Sequence, residues 1–180
     1  HTTDEDKEFK NPVYGKWDWK VKKVLCHLDA KYDGNHTNGL TFAAKRDDGK
    51  IQMTGYTWGE HVDDKHDYIK ELYKKYRATK MYNEKNADKG YLAKALRKLG
   101  INIPESANYS ESMNKHIKIS KFLKLYWDDI IWAEDIQPEY MAQILDYKEG
   151  EEPDDCADSA SSLCREAFHI GYSKNILNEW

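Results

Sequence analysis

The first pattern along the chain is an alternation of apolar and polar positions, which is typical of β-strands. Three segments show it, separated by short polar stretches: Val21–Lys31, Gly39–Arg46 and Ile51–Trp58. An Asp48-Gly49 pair lies between the second and third segments and favours a tight hairpin turn. The pattern therefore predicts an antiparallel meander of three strands.

After residue 61 the apolar residues recur every three to four positions, which is the period of an α-helix. Helices are predicted from about Val62 to Tyr76, at Asp88–Leu99, at Ser110–Tyr126, from Pro138 to about Tyr147 and at about Asp155–Phe168. Short strands are predicted between them, at Thr79–Glu84, Ile101–Pro104 and Ile130–Ala133. This order predicts an α/β fold, a mixed sheet of antiparallel and parallel strands with helices on both faces.

Composition agrees with one globular domain. The chain has 180 residues, of which 33% are charged and 39% hydrophobic, and no apolar run is long enough to cross a bilayer. Residues 1–20 are polar and are predicted to be a tail or linker from an upstream domain, followed by one domain over residues 21–180. The three cysteines are an odd number without zinc-ligand spacing, so a reduced, cytoplasmic setting is expected.

Acidic residues occur where the predicted elements end or begin. Asp29 ends the apolar run VLCHLD, Glu84 ends TKMYNE, and Asp155 and Asp158 open the last helix. In an open α/β sheet, ligands bind at the carboxyl ends of strands, so these acids could converge there. Carboxylates that meet repel one another unless a cation lies among them, and hard oxygen ligands suit Mg²⁺ or Mn²⁺. Two such ions would favour cleavage of a phosphodiester bond.

Each acid also has a structural alternative. Asp29 could simply turn the chain, and Glu84 could cap a turn or pair with a lysine. Asp155 or Asp158 could be an ordinary acid at a helix N-terminus. The hypothesis of a metal site therefore depends on all of them meeting at one place in the sheet.

Basic residues form three clusters on the predicted helices. The first ends the helix at Lys74, Lys75 and Arg77, and the second ends the next helix; both favour a solvated helix surface. The third lies in NKHIKISK, where Lys115, Lys118 and Lys121 could follow a phosphate backbone. The net charge of −4 argues only weakly against nucleic-acid binding, because local clusters matter more than the total.

Other chemistries lack their residues. The loop GNHTNGLT has the glycine spacing of a phosphate-binding loop but no lysine, and the histidines show no HExxH pair. The six tryptophans favour core or edge packing over base stacking.

Four segments taken together resemble, in order, the C-terminal nuclease domain of phage terminase large subunits. They are HLDAKYDGNHTNGLTFAAKRDDGKIQMTGYTW, MYNEKNADKGYLAKALRKLG, NKHIKISKFLKLYW and YKEGEEPDDCADSASSL. The family pattern is an acid that ends the first strand, a hairpin, an E-x-N segment, an N-K-x-x-x-I helix and a final D-D-x-x-D helix. The resemblance covers roughly residues 21–168.

This resemblance implies an RNase H-like fold and a metal-dependent endonuclease that cuts concatemeric double-stranded viral DNA during genome packaging. By position, Asp29, Glu84, Asp155 and Asp158 match the family's acids and would hold two Mg²⁺ or Mn²⁺ ions. Lys115 matches the lysine of the N-K segment, for which a phosphate contact is expected. Asp154 adjoins Asp155, so either could face the metal, and Asp88 is either a further ligand or a helix N-cap.

The resemblance also implies partners. The chain has no Walker A motif, so it is expected to be a domain whose ATPase partner belongs to the same full-length protein. A portal, a small terminase subunit and double-stranded DNA would complete the machinery in the cytoplasm of an infected bacterial host, with no membrane involved. The alternatives are another RNase H-like nuclease, such as a junction resolvase or transposase core, and a non-catalytic DNA-binding scaffold.

Overall fold

A seven-stranded sheet forms the centre of the molecule, with the strand order β1-β7-β4-β3-β2-β5-β6. The computed structural model describes residues 7–31, 37–59 and 61–169. Its strands are β1 (Val13–Gly15), β2 (Val24–Asp29), β3 (Asn38–Lys45), β4 (Ile51–Trp58), β5 (Ala78–Glu84), β6 (Asn108–Tyr109) and β7 (Ile130–Ala133).

Helices connect the strands. They are α1 (His66–Lys75), α2 (Tyr91–Lys98), α3 (Lys115–Lys118), α4 (Lys124–Tyr126), α5 (Pro138–Leu145) and α6 (Asp155–Phe168). A π-helical segment, Ile119–Leu123, joins α3 directly to α4, so that the two form one continuous rod. Short 3₁₀ turns occupy Val62–Lys65, Glu105–Ala107 and Trp127–Asp129.

Strand direction defines the two edges of the sheet that matter for function. β3 is antiparallel to β2 and β4, whereas β2, β5 and β6 run parallel to one another. We call the edge where β2, β5 and β6 end the carboxyl edge, and the edge where β2 and β5 begin the amino edge. Because β2 and β5 are neighbours in register, their last residues lie side by side at the carboxyl edge.

The predicted mixed sheet is confirmed, and most predicted elements are found within a few residues of their expected bounds. Ile101–Pro104 is not a strand: its apolar residues are buried, but only Asn102 joins β5 there, accepting a backbone hydrogen bond from Met81 at 2.8 Å. The sixth strand is Asn108–Tyr109 instead. The helix predicted from Ser110 begins at Lys115.

The segment predicted to be a tail packs against the domain from residue 7 onwards. Val13–Gly15 pairs in parallel with β7, and Phe9 is buried beside Trp127, with ring centroids 4.9 Å apart. These apolar residues are isolated among polar ones, so no periodic pattern marks them. Residues 1–6, and residues 170–180 of the predicted domain, lie outside the described residues.

The last helix lies directly on the sheet. The first turns of α6 approach β3 so closely that a Cβ on Gly39 would lie 3.1 Å from the carbonyl oxygen of Asp155. Glycine at this position therefore sets how near the N-terminus of α6 comes to the carboxyl edge. Within the described residues, no helix is both long and apolar enough to cross a membrane.

Candidate metal centre

The four acids predicted from the sequence meet at the carboxyl edge. Asp29 and Glu84 are the last residues of the neighbouring parallel strands β2 and β5. Asp155 and Asp158 lie in the first turn of α6, which packs over β2 and β3. Asp29, Asp155 and Asp158 are 1%, 0% and 2% exposed, and Glu84 is partly buried. Such burial is costly for carboxylates unless cations accompany them.

Two lysines supply positive charge among these acids. The Nζ of Lys31 lies 3.0 Å from Asp29 Oδ1 and 3.9 Å from Asp155 Oδ1. The Nζ of Lys118 lies 2.6 Å from Asp158 Oδ1 and 3.9 Å from Glu84 Oε1. Each lysine thus links an acid of the sheet region to an acid of α6.

Burial raises the pKa of both strand-end acids, and neighbouring acids add to the effect. Burial raises the pKa of Asp29 well above its usual range; Lys31 opposes this, and the charges of Glu84 and Asp158 add to it. Burial also raises the pKa of Glu84, again reinforced by Asp158 and opposed by Lys118. Both carboxylates therefore hold a proton more readily than they would in water.

Some carboxylate oxygens at the site have no hydrogen-bond donor among the described residues. Asp29 Oδ2 and Asp155 Oδ1 are both buried in this state. The other oxygen of Asp155 is held in place, accepting hydrogen bonds from the hydroxyl and the amide of Thr37 at 2.8 and 3.2 Å. Buried, oriented oxygens that lack donors are what a hard divalent cation requires, so the donor set fits such a cation.

The acidic pair at the start of α6 is divided between two environments. Asp155 is fully buried and shares Lys31 with Asp29, whereas Asp154 is half-buried and pairs with Lys115 at 3.0 Å. Together with the exposed Glu152, they offer one oxygen each within 4.8 Å of one another. A second group of converging oxygens therefore adjoins the four predicted acids and shares Asp155 with them.

The N-K segment builds the wall opposite α6. Asn114 caps α3, its side chain accepting a hydrogen bond from the amide of Ile117 at 3.0 Å. Lys115 follows, and its ammonium also lies 4.0 Å from Asp158. One turn later, Lys118 is 0% exposed. Its ammonium therefore cannot reach a phosphate backbone, and the contact expected from the sequence is not possible for this lysine. Lys121 is exposed on the π-helical segment.

Glu111 and Arg165 were not anticipated from the sequence. Glu111 accepts hydrogen bonds from Lys118 at 2.6 Å and from Arg165 at 2.9 Å, while Lys118 also lies 3.9 Å from Glu84. Burial would raise the pKa of Glu111, but the hydrogen bonds from the two cations outweigh it and lower the pKa to about 2. The position of Arg165, seven residues after Asp158 on α6, was the available signal, because that spacing returns to the same helix face.

His27 is a second residue that sequence reasoning missed. It is fully buried on β2, two residues before Asp29, and its ring nitrogens lie 2.8 Å from Ser159 Oγ and 2.7 Å from the Tyr109 hydroxyl. Burial lowers the pKa of His27 well below its usual range, with Lys118 and Arg165 adding to the effect. A neutral imidazole thus ties together the three elements that carry the site, β2, α6 and β6.

The E-x-N segment and Asp88 have structural roles around the site. Asn86 Nδ2 donates to the backbone oxygen of Ala30 at 3.4 Å, joining the loop after β5 to the end of β2. Asp88 accepts hydrogen bonds from the amides of Gly90 and Leu92 at 2.9 and 2.8 Å. Of the two interpretations of Asp88, these contacts favour the helix cap.

No protein-family model matches the chain, and no curated protein matches it by sequence. Solved structures do match. The large terminase nuclease from thermophilic phage G20c with bound zinc is 13% identical, with a TM-score of 0.60 over 90% of this chain and 95% of that one. The nuclease domain of the large terminase subunit of bacterial virus Sf6 is 11% identical, with a TM-score of 0.53 over 84% and 89%.

The large terminase from the thermophilic bacteriophage D6E in complex with ADP is also similar, with 11% identity and a TM-score of 0.59. That match covers 88% of this chain but 43% of the D6E protein. At these identities the likeness concerns the fold. The predicted RNase H-like architecture is confirmed: the chain has the fold of phage large terminase nuclease domains.

Proposed function

We propose that this chain is a metal-dependent endonuclease domain that hydrolyses phosphodiester bonds of double-stranded DNA. The observation that carries the proposal is the meeting of Asp29, Glu84, Asp155 and Asp158 at the carboxyl edge, with buried oxygens that lack donors. The shared fold adds support, because its members include terminase nucleases with bound zinc and cobalt, and one with manganese.

The acids have distinct proposed roles. Asp29 is central, because Lys31 links it to Asp155 and the charges of Glu84 and Asp158 both act on it. Glu84 would complete one cation site, and Asp155 with Asp158 the other. Two bound Mg²⁺ or Mn²⁺ ions would supply an activated water and stabilise the charge on the attacking and leaving oxygens. No side-chain nucleophile is required, and the protein contributes rigid placement of its oxygens.

Lysines at the rim are proposed to position the DNA. Lys115 is partly exposed and borders both Asp154 and Asp158, so it lies where a scissile phosphate would approach. Lys121 is exposed on the same helical rod and would contact the neighbouring backbone. Phosphate contacts carry no base information, so little sequence preference is expected. Lys118 is assigned a different role, that of a resident cation between Asp158 and Glu111.

The biological setting is part of the proposal. The chain corresponds to less than half of the D6E large terminase, which supports an ATPase domain in the same full-length protein. Cleavage of concatemeric viral DNA during packaging, with a portal and a small terminase subunit in the host cytoplasm, would follow from that assembly.

Plasmid nicking tests the activity directly. The chain with Mn²⁺ or Mg²⁺ should convert supercoiled plasmid to nicked and linear forms, and EDTA should stop the reaction. Asp29→Asn should remove the activity while circular dichroism and the melting temperature show an intact fold. Undiminished nicking by Asp29→Asn would contradict the assignment of the site. A preference for four-way junctions over linear duplex would instead indicate a resolvase.

A non-catalytic DNA-binding domain is the second candidate. One observation favours it: Lys31 and Lys118 already neutralise part of the acidic site without a metal ion. Calorimetry with Mn²⁺ separates the two candidates. Binding that disappears in Asp29→Asn supports the nuclease, whereas no binding by either protein supports the scaffold.

A further inference from the structure

The amino edge of the sheet carries a concentration of positive charge that the proposed catalysis does not use. Two segments meet there, since the first residue of β2, Val24, is paired with the first residue of β5, Ala78. Both are rich in basic residues. We call the following exposed side chains the basic edge: Lys16, Lys20, Lys22, Lys23, Lys74, Lys75 and Arg77.

Few acids balance this charge. Residues 16–23 contain four lysines and one aspartate, and residues 71–77 contain three cations and one glutamate, in a chain of net charge −4. Across the described residues, none of the seven cations forms an ion pair. Asp18 accepts a hydrogen bond from the backbone amide of Lys20 at 2.9 Å, so it shapes the turn. Asp47 and Asp48 lie in the β3–β4 hairpin, which turns at the same edge of the sheet.

An exposed aromatic residue lies within the basic edge. Trp19 is 42% exposed, although its ring stacks on Tyr76 at 5.6 Å with an interplanar angle of 14°. Arg77 approaches the same ring, with its guanidinium carbon 5.8 Å from the centroid. Trp17 packs edge-on against Tyr76, with ring centroids 5.2 Å apart, and so helps to hold the tyrosine ring on which Trp19 stacks. A rigid, partly exposed indole among lysines combines the two features used to hold nucleic acids, backbone attraction and a stacking surface.

We propose that the basic edge is a second contact surface for the phosphodiester backbone of DNA, separate from the metal centre. A dense polyanion matches unpaired lysines on two adjoining segments. β2 has six residues, so at about 3.3 Å per residue the two edges lie roughly 20 Å apart. The surface would hold DNA away from the cleavage point. Naming the polyanion as DNA rests on the proposed function; the charge and geometry of the surface do not.

Binding of a short labelled DNA of random sequence to the full chain in EDTA, without cleavage, tests the surface. The variant Lys22→Ala with Lys74→Ala removes one charge from each segment. Its control, Lys50→Ala with Lys124→Ala, removes the same net charge from lysines that already pair with Asp129 and Glu8. The first variant should bind DNA at least about tenfold more weakly near 0.1 M salt. The logarithm of its association constant should also fall less steeply with the logarithm of the salt concentration, with a slope smaller in magnitude by about 2. The control should change neither by more than about twofold.

Equal losses in the two variants would overturn the proposal, as would a glutamate-rich peptide that binds as tightly as DNA and depends on Lys22 and Lys74. Duplex and single-stranded probes identify the form of DNA. If Trp19→Leu weakens binding of single-stranded DNA only, Trp19 stacks on bases. If the variant binds both probes as tightly as the parent does, the surface contacts only the duplex backbone. Because no cleavage is measured, an inactive metal centre would defeat the proposed function and leave this result standing.

Discussion

The two edges of the same sheet treat charge in opposite ways. At the carboxyl edge, buried acids face lysines that are drawn into ion pairs, and Lys118 is 0% exposed. At the amino edge, the cations of the basic edge stay in water and form no ion pairs among the described residues. Buried charges interact strongly and demand fixed geometry, whereas solvated ones act over longer range and are screened by salt. The comparison suggests chemistry at one edge and attachment at the other.

The largest expected effect is the loss of cleavage in Asp29→Asn. The substitution keeps the size of the side chain but removes the charge that the proposed cation sites need, so nicking with Mn²⁺ should fall by more than about a hundredfold. The matched change Asp47→Asn, on an exposed turn, should leave nicking unchanged. Both variants should still bind DNA through the amino edge. Loss of DNA binding in Asp29→Asn would show that the metal centre and the basic edge do not bind DNA independently.

Lys118→Met should be the most destabilising change at the carboxyl edge. It leaves Asp158 and Glu111 without their shared buried cation, and breaking such a pair costs about 3–5 kcal/mol. Thermal unfolding in EDTA should show a melting temperature lower by roughly 6–20 °C for a chain of this size. Mn²⁺ should raise the melting temperature of the variant more than that of the parent, because it replaces the missing charge.

The exposed Lys121 on the same rod serves as the control for that variant. Lys121→Met should change the melting temperature little, since exposed charges contribute about 1 kcal/mol or less. If Lys118→Met has the same melting temperature as the parent, the ammonium of Lys118 does not stabilise the buried acids.

His27→Leu should lower stability by about 1–3 kcal/mol, because it removes the buried imidazole that hydrogen-bonds to both Ser159 and Tyr109. If His27 positions the acids, the affinity for Mn²⁺ should also fall, and His27→Gln should restore part of both. Urea unfolding and calorimetry measure the two quantities. An unchanged Mn²⁺ affinity in His27→Leu would leave this residue with a purely structural role.

The raised pKa of Asp29 predicts how stability changes with pH when no metal is bound. The folded state holds a proton on Asp29 more tightly than the unfolded state, so this group stabilises the fold as pH falls and destabilises it as pH rises through the raised pKa. Asp29→Asn should therefore be more stable than the parent at neutral pH. Its advantage should shrink as the pH approaches 4, and urea unfolding across this range measures it.

The smallest effect is expected from Asp88→Ala. It removes hydrogen bonds to the amides of Gly90 and Leu92 and should cost about 1 kcal/mol. Neither nicking nor Mn²⁺ affinity should change, because these contacts favour a cap rather than a ligand. A clear drop in Mn²⁺ affinity would return Asp88 to the set of candidate ligands.

The sequence was sufficient to predict elements with regular burial. Ile51–Trp58 and Asp155–Phe168 have the bounds expected from their periodicity, and the ends of β2 and β5 place Asp29 and Glu84 together by the rule of parallel strands. The short edge strand Val13–Gly15 was not predicted, since three residues that are exposed or only partly buried show no burial period.

The inner part of the site could not be predicted for a different reason. Lys118 occurs in a lysine-rich helix, and only tertiary packing determines that it turns inward while Lys121 turns outward. The basic edge likewise depends on two segments, residues 16–23 and 71–77, that are distant in the chain and are brought together by β2–β5 pairing. Counting charged residues along one helix at a time therefore predicted neither the burial of Lys118 nor the basic edge.

The π-helical segment Ile119–Leu123 has a consequence for sequence variation in this rod. A π-turn accommodates one more residue than the α-helix around it, so its register differs from that of a regular helix on either side. Deleting one residue from the segment would convert the π-turn into a regular α-helical turn, so that α3 and α4 would keep nearly the same faces toward the rest of the domain. Relatives should therefore accept a rod one residue shorter at this segment, whereas the buried Ile119, Phe122 and Leu123 should stay apolar.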